Sequence, residues 1–186
     1  MTPAFRLGLI AIAAILAVSC GGGTDLDDNE SPVVLTIEIE EYSPDIDICL
    51  QAGIDVVISQ MNINSNAKDP AGVLGPNADV VLQRWVITPS RTDGGTVASP
   101  QWIYDQTVLV EAGGNASLEN YRIYTSEYFD LEPLVHLLPE NGGFDPETGN
   151  SNIRQSLRLQ IFGETVAGKK VSTVPVPIAF NFTCLN

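Results

Sequence analysis

The sequence has few of the side chains from which most active sites and metal centres are built. Its only histidine, His136, is flanked by Val135 and Leu137. A lone histidine among apolar neighbours is typically a packing residue, and one histidine with two cysteines that are expected to pair does not make up a metal cluster. The G-x-S-x-G pattern of a hydrolase nucleophile is also missing. We therefore expect a protein that is not an enzyme and has no catalytic residues.

Basic residues are scarce as well. The chain has nine Lys and Arg against 23 Asp and Glu. Such a surface repels nucleic acid and anionic lipid headgroups, so nucleic acid is excluded as a partner. The simplest interpretation is a solvated acidic face that keeps an exported protein soluble, and an acidic patch that recruits cations is the alternative.

The N-terminal hydrophobic run is too short for a membrane-spanning helix. It extends from Leu7 to Val18, with Gly8 interrupting it, whereas a spanning helix needs ~20 apolar residues. Arg6 precedes the run and Ser19 and Cys20 follow it, which is the layout of a secretory signal peptide. We expect cleavage before Cys20.

The residues around this cleavage point resemble a known lipidation motif. Leu16-Ala17-Val18-Ser19-Cys20 is similar to the lipobox of bacterial lipoproteins, in which the cysteine receives a diacylglycerol thioether. The resemblance implies that lipid on Cys20 anchors the chain in the cell envelope. Because Gly21 follows the cysteine, similarity to lipoproteins of double-membraned bacteria favours the outer membrane, with the periplasmic or surface face left open. An ordinary cleaved signal with a structural cysteine is the alternative.

The chain divides into three segments. Residues 1–19 are the expected lipoprotein signal peptide. Residues 20–31 are glycines followed by acidic residues, with Leu26 the one clearly apolar side chain, and this composition predicts a flexible acidic tether. Residues 32–186 then form one domain, which is long enough to bury a sizeable core.

The remaining cysteines indicate a disulfide. With Cys20 assigned to lipid, Cys49 and Cys184 are left in a protein that is exported to a compartment where disulfides persist. We predict that they pair. In a regular strand Cys49 would face the side opposite to Ile46 and Ile48, so the pairing requires a local bend. Two separate thiols are the alternative.

From Pro32 onward, apolar and polar residues alternate with a period of two. Val33, Leu35 and Ile37 lie on one face of the first predicted strand. Further strands are predicted at residues 55–64, 79–88, 102–111, 118–125, 156–163 and 171–183. Seven short strands separated by Gly and Pro predict an all-β protein, a single antiparallel β-sandwich with one short helix or 3₁₀ turn at 129–138. Pro175 and Pro177 place part of the last strand at an edge or a bulge.

The end of the chain carries a second resemblance. Residues 157–182, with the run F-G-x-T-x-x-G-K-x-V from Phe162 to Val171, look like the closing hairpin of immunoglobulin-like or fibronectin type III domains on bacterial surfaces. The resemblance implies an Ig-like sandwich. Residues 163–169 also match the first seven positions of a P-loop, but Lys170 stands where Ser or Thr would hold magnesium. A hairpin turn is therefore predicted.

Two groups of residues are candidate ligand sites. Asp145, Glu147 and Asn150, in the polar loop 139–152, supply the hard oxygen ligands that Ca²⁺ prefers, so a weak calcium site is one interpretation and a plain turn the other. Aromatic residues could form a glycan or peptide platform, although core packing is favoured. They are Trp85, Trp102, Tyr104, Tyr121, Tyr124 and Tyr128.

These observations support two functional hypotheses. The first is a lipid-anchored, non-enzymatic module for binding, adhesion or assembly at the bacterial cell envelope, with no cofactor. Its expected partners are the membrane, through lipid on Cys20, and another envelope protein or a glycan. The alternative is a calcium-dependent carbohydrate-binding surface domain that uses loop 139–152 and the aromatic residues.

Overall fold

The computed structural model describes residues 31–50 and 53–185. In that part of the chain the strands are β1 (Val33–Tyr42), β2 (Asp45–Asp47), β3 (Val56–Ala67), β4 (Val80–Arg91), β5 (Trp102–Val110), β6 (Asn115–Tyr124), β7 (Asn152–Thr165), β8 (Lys170–Ser172) and β9 (Val176–Thr183). Short 3₁₀ turns lie at Pro76–Ala78, Ser126–Asp130, Leu134–Leu137 and Pro139–Asn141. The prediction of an all-β protein with one short helical region near 129–138 is confirmed.

The strands form two sheets that pack as a sandwich. The small sheet has the order β1–β3–β6, and the large sheet has the order β2–β9–β7–β4–β5, with β8 also paired to β7. Neighbouring strands are antiparallel except β2 and β9, which run parallel. The antiparallel sandwich is therefore confirmed, and its parallel edge pair is a feature that hydrophobic periodicity does not indicate.

The core lies between the inward faces of the two sheets, where alternate side chains of each long strand are buried. The β3 and β4 residues that face inward and are fully buried include Ile58, Met61, Ile63, Val80, Leu82, Trp85 and Ile87. In β4 the spacing between Leu82 and Trp85 is three residues instead of two, because the pairing register shifts between Leu82 and Arg84. This β-bulge turns both Gln83 and Arg84 towards solvent.

The predicted last strand is divided in two. β8 ends at Ser172 and β9 begins at Val176, so Pro175 lies in the break between them. Pro177 pairs with Arg158 of β7 on one side, whereas β2 pairs with β9 only at 181–183. At Pro177, β9 has a partner strand on one side only, so the missing backbone N–H of the proline is tolerated. This agrees with the predicted edge position.

The expected signal peptide, Cys20 and nearly all of the predicted tether lie outside the described residues, which begin at Ser31. Between Ser31 and Leu185, no described helix has both the length and the apolar character needed to cross a membrane.

Candidate functional site

The two cysteines of the domain are joined. Cys49 and Cys184 form a disulfide with a Cα–Cα distance of 5.1 Å, in agreement with the prediction. The required bend is a turn at residues 48–50, in which Asp47 Oδ1 accepts hydrogen bonds from the amides of Cys49 and Leu50 at 3.0 and 3.3 Å. The bridge thus ties the turn after β2 to the residue that follows β9.

One end of the sandwich is built around a buried arginine. The Arg91 side chain, at the end of β4, is 2% exposed. Its Nε and Nη2 donate to the two oxygens of Asp93 at 2.7 and 3.0 Å, and Nη2 also donates to Asp145 Oδ2 at 2.6 Å. Nη1 donates to the carbonyl oxygen of Val97 at 3.1 Å. The guanidinium therefore links the loop after β4 to the loop before β7.

The first predicted calcium ligand, Asp145, belongs to this cluster and its carboxylate already has protein partners. Besides Arg91, it accepts hydrogen bonds from the hydroxyl of Thr148 at 2.7 Å and from the Thr148 amide at 3.2 Å. The amide of Asp145 donates to the backbone carbonyl of Asn150 at 2.8 Å, which closes the loop into a turn. Asn150 is exposed.

The second predicted ligand, Glu147, is also engaged. Its Oε2 accepts hydrogen bonds from the amides of Thr96 and Val97 at 2.7 and 3.0 Å, and its Oε1 accepts one from the Thr96 hydroxyl. Within residues 31–50 and 53–185, no three or more His, Cys, Asp or Glu side chains are grouped so that they could hold a metal ion. Calcium binding here stays a prediction, and it would have to displace the present bonds.

The electrostatics of the cluster favour its ionised form. Burial raises the pKa of Asp93, but hydrogen bonds from Arg91 and from the Arg154 and Gly95 amides outweigh it and hold that pKa below its ordinary value. Burial also raises the pKa of Asp145, but hydrogen bonds from Thr148 and Arg91 outweigh it and hold that pKa below its ordinary value. Because Arg91 bonds both to Asp93 after β4 and to Asp145 before β7, the cluster acts as an ionic clamp between two loops.

We expect acid to weaken this clamp. The folded-state pKa values of Asp93 and Asp145 lie below the unfolded value of about 3.9. The stabilisation that their ionised carboxylates give to the folded state is therefore complete above that pH. It is lost as the pH falls through the folded-state values. The free energy of unfolding, from urea titrations, should therefore drop below about pH 4, and Asp93→Asn should show a smaller drop. Equal pH dependence of the variant and the wild type would contradict this.

We also expect calcium to leave the melting temperature unchanged, because coordination by Asp145 would require Arg91 to release it. Differential scanning calorimetry with excess CaCl₂ or EDTA measures this, and MgCl₂ is the control for ionic strength. A rise specific to calcium would contradict the expectation and support the calcium-dependent hypothesis.

The single histidine lies next to the clamp. It lines a cavity of about 190 Å³ together with Glu132, Pro133 and Glu147, among others. The His136 Nε2 is 3.8 Å from Glu132 Oε1, and the histidine side chain is 32% exposed. It is therefore a half-buried residue at a cavity wall. The residues that line this cavity include no serine, threonine or cysteine.

The six aromatic candidates use their rings mainly to contact each other. Trp85 and Tyr124 are fully buried and Tyr121 is 5% exposed. The Trp85 and Tyr121 centroids are 4.7 Å apart, and those of Trp102 and Tyr124 are 5.1 Å apart. The other candidates are half-buried against the same core. Since a platform needs exposed ring faces, the structure supports the packing interpretation.

The P-loop-like segment forms the turn between β7 and β8. The Thr165 amide donates to the carbonyl of Lys169 at 2.8 Å, and Gly168 adopts a left-handed φ of +79° that a turn at this position requires. A strand follows, so there is no helix N-terminus to hold phosphate. The predicted hairpin turn is confirmed.

A wider concavity lies on the outer face of the large sheet, across β5, β4, β7 and β8. This outer-face groove has a volume of about 900 Å³. Its floor is apolar. Val86 of β4 lies opposite Ile103 of β5, and Phe162 of β7 lies opposite Arg84 in the next residue row. Ile103 is 55% exposed and Phe162 is 37% exposed. Contiguous apolar side chains left exposed on a concave surface are typical of a binding site.

The rest of the groove is lined by polar side chains. One residue row crosses all four strands, from Asp105 through Arg84 and Phe162 to Ser172. Arg84 Nε lies 3.5 Å from Asp105 Oδ1, and this pair is solvent-exposed. The remaining polar residues of the lining are Gln83, Thr107, Gln160, Glu164 and Lys170. Sequence reasoning did not identify this site, although the broken alternation from Leu82 to Trp85 signals the bulge at its centre.

A glycine permits the close approach of strands at this bulge. A Cβ atom on Gly163 of β7 would lie 2.6 Å from the carbonyl oxygen of Val81 and 3.0 Å from Leu82 Cα, and both are backbone atoms. On the other side of β4, Trp85 Nε1 donates to the carbonyl oxygen of Gln106 at 3.0 Å. The bulge is thus held by contacts to both neighbouring strands.

Gly163→Ala should therefore lower the free energy of unfolding by about 1–3 kcal/mol, because the methyl group forces β7 away from β4. Urea denaturation measures the effect. Gly75→Ala is the matched control, since no atom lies within 4 Å of a Cβ built there, and its effect should stay below about 0.5 kcal/mol. Equal effects of the two substitutions would show that the close approach is not needed.

The fold and these surfaces together define a disulfide-bonded β-sandwich that has an ionic clamp at one end and a groove on the outer face of its large sheet. No protein-family model matches the chain, and no curated protein is significantly similar to it in sequence. The resemblances to bacterial lipoproteins and to Ig-like domains stay predictions.

Proposed function

We propose that the protein is a lipid-anchored, non-enzymatic module that binds another envelope protein or a glycan at the bacterial cell envelope. The observation that carries the binding role is the outer-face groove, where Ile103 and Phe162 remain exposed on a concave sheet surface. Apolar groups exposed in this way cost free energy in water unless a ligand covers them.

The sheet holds the groove in a fixed shape. The floor residues lie on β4, β5 and β7, and β4 pairs with β5 on one side and β7 on the other. Directly beneath them, the inward residues Trp85, Ile87 and Ile161 are fully buried. A site on such strands is preorganised, so little conformational entropy is lost when a ligand binds.

The predicted tether gives the domain freedom to stand away from the membrane. Ten residues lie between Cys20 and Ser31, so the chain takes eleven steps, and at ~3.5 Å per step its fully extended reach would be about 38 Å. The excess of acidic residues repels anionic headgroups, which favours the same separation. The groove is then accessible to a partner in the envelope.

The anchor is tested by the intact mass of the native protein after detergent extraction. The expected mass is that of residues 20–186 plus acyl chains, and reduction of the disulfide should add two hydrogen atoms. Cys20→Ser is the control, and it should release the protein from the membrane fraction. An unacylated wild-type mass would exclude the lipid anchor.

The binding role is tested by photo-crosslinking in intact cells. A photoreactive amino acid at Ile103, in the groove, should give an adduct of higher mass. The same amino acid at Val73, which is 99% exposed and does not line the groove, is the control. An absence of adducts from Ile103, or equal adducts from both positions, would contradict a binding role for this groove.

A further inference from the structure

We infer that the ligand of the outer-face groove is an uncharged oligosaccharide, an inference that rests on the proposed binding function. The chemistry of the groove lining supports this ligand class in three respects: its charge balance, its hydrogen-bonding groups and its apolar floor.

The positive and negative side chains that line the groove are equal in number, although the protein as a whole is strongly acidic. Its charged lining residues are two cations, Arg84 and Lys170, and two anions, Asp105 and Glu164. The whole chain has a formal charge of −14. A polyanion would be repelled by the molecule as a whole, and a cationic ligand would find no excess of carboxylates in the groove. An uncharged ligand is not repelled by the acidic surface and needs no excess of either charge in the groove.

The uncharged polar groups of the groove suit sugar hydroxyls. Hydroxyl groups both donate and accept hydrogen bonds, as do the side chains of Gln and Thr. No side-chain hydrogen bond joins Gln83 or Thr107, which both line the groove, to another described residue. The Gln160 amide nitrogen donates to the carbonyl of Thr173 at 3.2 Å, which orients the side chain and leaves its amide oxygen as an acceptor. Three such groups therefore line one concave surface.

The floor suits the C–H faces of sugar rings. Val86 lies opposite Ile103 on this face and Phe162 lies in the next residue row, so all three offer apolar surface to a ligand. Aromatic rings make large apolar contacts at small entropic cost. Four strands at a spacing of ~4.8 Å span about 14 Å, and the volume of about 900 Å³ lies near the upper end of small-ligand sites. The groove therefore fits a short oligosaccharide better than a single sugar.

The position of the groove disfavours a peptide. An extended peptide gains most of its affinity from main-chain hydrogen bonds to a sheet edge. The groove lies on a sheet face, where the main chains of β4 and β7 are already paired on both sides. β5 also lines the groove and pairs only with β4, so its unpaired edge lies at the border of the groove and not over the floor. Over β4 and β7 a ligand can reach only side chains, and an oligosaccharide requires nothing else.

The experiment is isothermal titration calorimetry of the detergent-solubilised mature protein with neutral glucan, mannan, galactan and xylan oligosaccharides. Anionic oligosaccharides and peptides of either charge complete the panel. We expect a neutral oligosaccharide to bind, with affinity about tenfold lower for Phe162→Ala and about fivefold lower for Gln83→Ala. Val174→Ala, at an exposed site that does not line the groove, should bind like the wild type. Unchanged melting temperatures would confirm that the variants are folded.

Two results would overturn the inference. The first is that no neutral oligosaccharide binds, and the second is that one binds equally well to the wild type, Phe162→Ala and Gln83→Ala. If an anionic glycan or a peptide binds instead and Phe162→Ala abolishes that binding, the ligand class is wrong but the proposed binding function stands. The crosslinks test the binding function separately, and it fails if Ile103 gives no adduct or no more adduct than Val73.

Discussion

Arg91→Ala should lower the free energy of unfolding by about 3–5 kcal/mol, the range observed when one partner of a buried ion pair is removed. The Arg91 side chain is 2% exposed, and those of Asp93 and Asp145 are 1% exposed. Without the guanidinium, two carboxylates remain buried next to each other with no counter-charge. The loops that carry them must then open to water or take up protons.

An exposed ion pair in the same sheet provides the matched control. Arg84 and Asp105 are 61% and 76% exposed with a separation of 3.5 Å, so Arg84→Ala should cost less than about 1 kcal/mol. Urea denaturation of both variants, with the disulfide intact, makes the comparison. Similar losses in the two variants would show that the buried cluster contributes no more than a surface pair.

The pH dependence of the Arg91→Ala variant gives an independent check. Near neutral pH the variant holds two uncompensated carboxylates, whereas in acid these groups are protonated and the missing charge matters less. The difference in stability between wild type and variant should therefore shrink as the pH falls from 7 towards about 3. A difference that does not depend on pH would mean that lost packing, and not lost charge, causes the destabilisation.

Removal of the disulfide should have a comparable effect. The double variant Cys49→Ala/Cys184→Ala should lose about 2–5 kcal/mol, because the unfolded chain is freed from a crosslink between residues 135 positions apart. The chain-entropy relation gives about 5 kcal/mol for such a loop, which is an upper value. The measurement is the urea midpoint of this variant against the wild type. Cys20→Ser, which leaves the bridge intact, is the control.

Loss of the bridge should also have a local effect. β2 has only three residues and pairs with β9 at the edge of the large sheet, next to the disulfide. Its amides should therefore exchange with deuterium much faster in the double variant, while the central strands β4 and β7 keep their relative protection. Equal urea midpoints and unchanged exchange in β2 would together show that the crosslink stabilises neither the fold nor its edge.

Most strands could be predicted because their signal is local. The alternation of Val33, Leu35 and Ile37 specifies a buried face without reference to any other part of the chain, and β1 begins and pairs accordingly. Strand ends were less predictable. β4 continues to Arg91, three residues beyond the predicted end at 88, because its polar residues still pair with β7.

The candidate site could be predicted only in part. Asp145 and Glu147 were predicted as ligands of a weak calcium site. In the structure their carboxylates accept hydrogen bonds from Arg91 and Thr96, which are about fifty residues away in sequence. Carboxylates that bind calcium and carboxylates that bind a guanidinium have the same local sequence. The distinction depends on which cation the fold brings to them.

The outer-face groove, too, could be predicted only in part. Its bulge is visible in the sequence as the broken alternation at Gln83 and Arg84, yet the concave shape depends on the register with β5 and β7 and on the close approach at Gly163. The sequence by itself determined the all-β class through period-two patterning and the hairpin turn through its turn residues, because both properties arise from neighbouring residues. It also determined the expected disulfide, because only two cysteines remain to pair once Cys20 is assigned to lipid. Only the tertiary structure decided which charges are neutralised and which apolar side chains stay exposed, because burial and charge pairing depend on contacts between residues far apart in the chain.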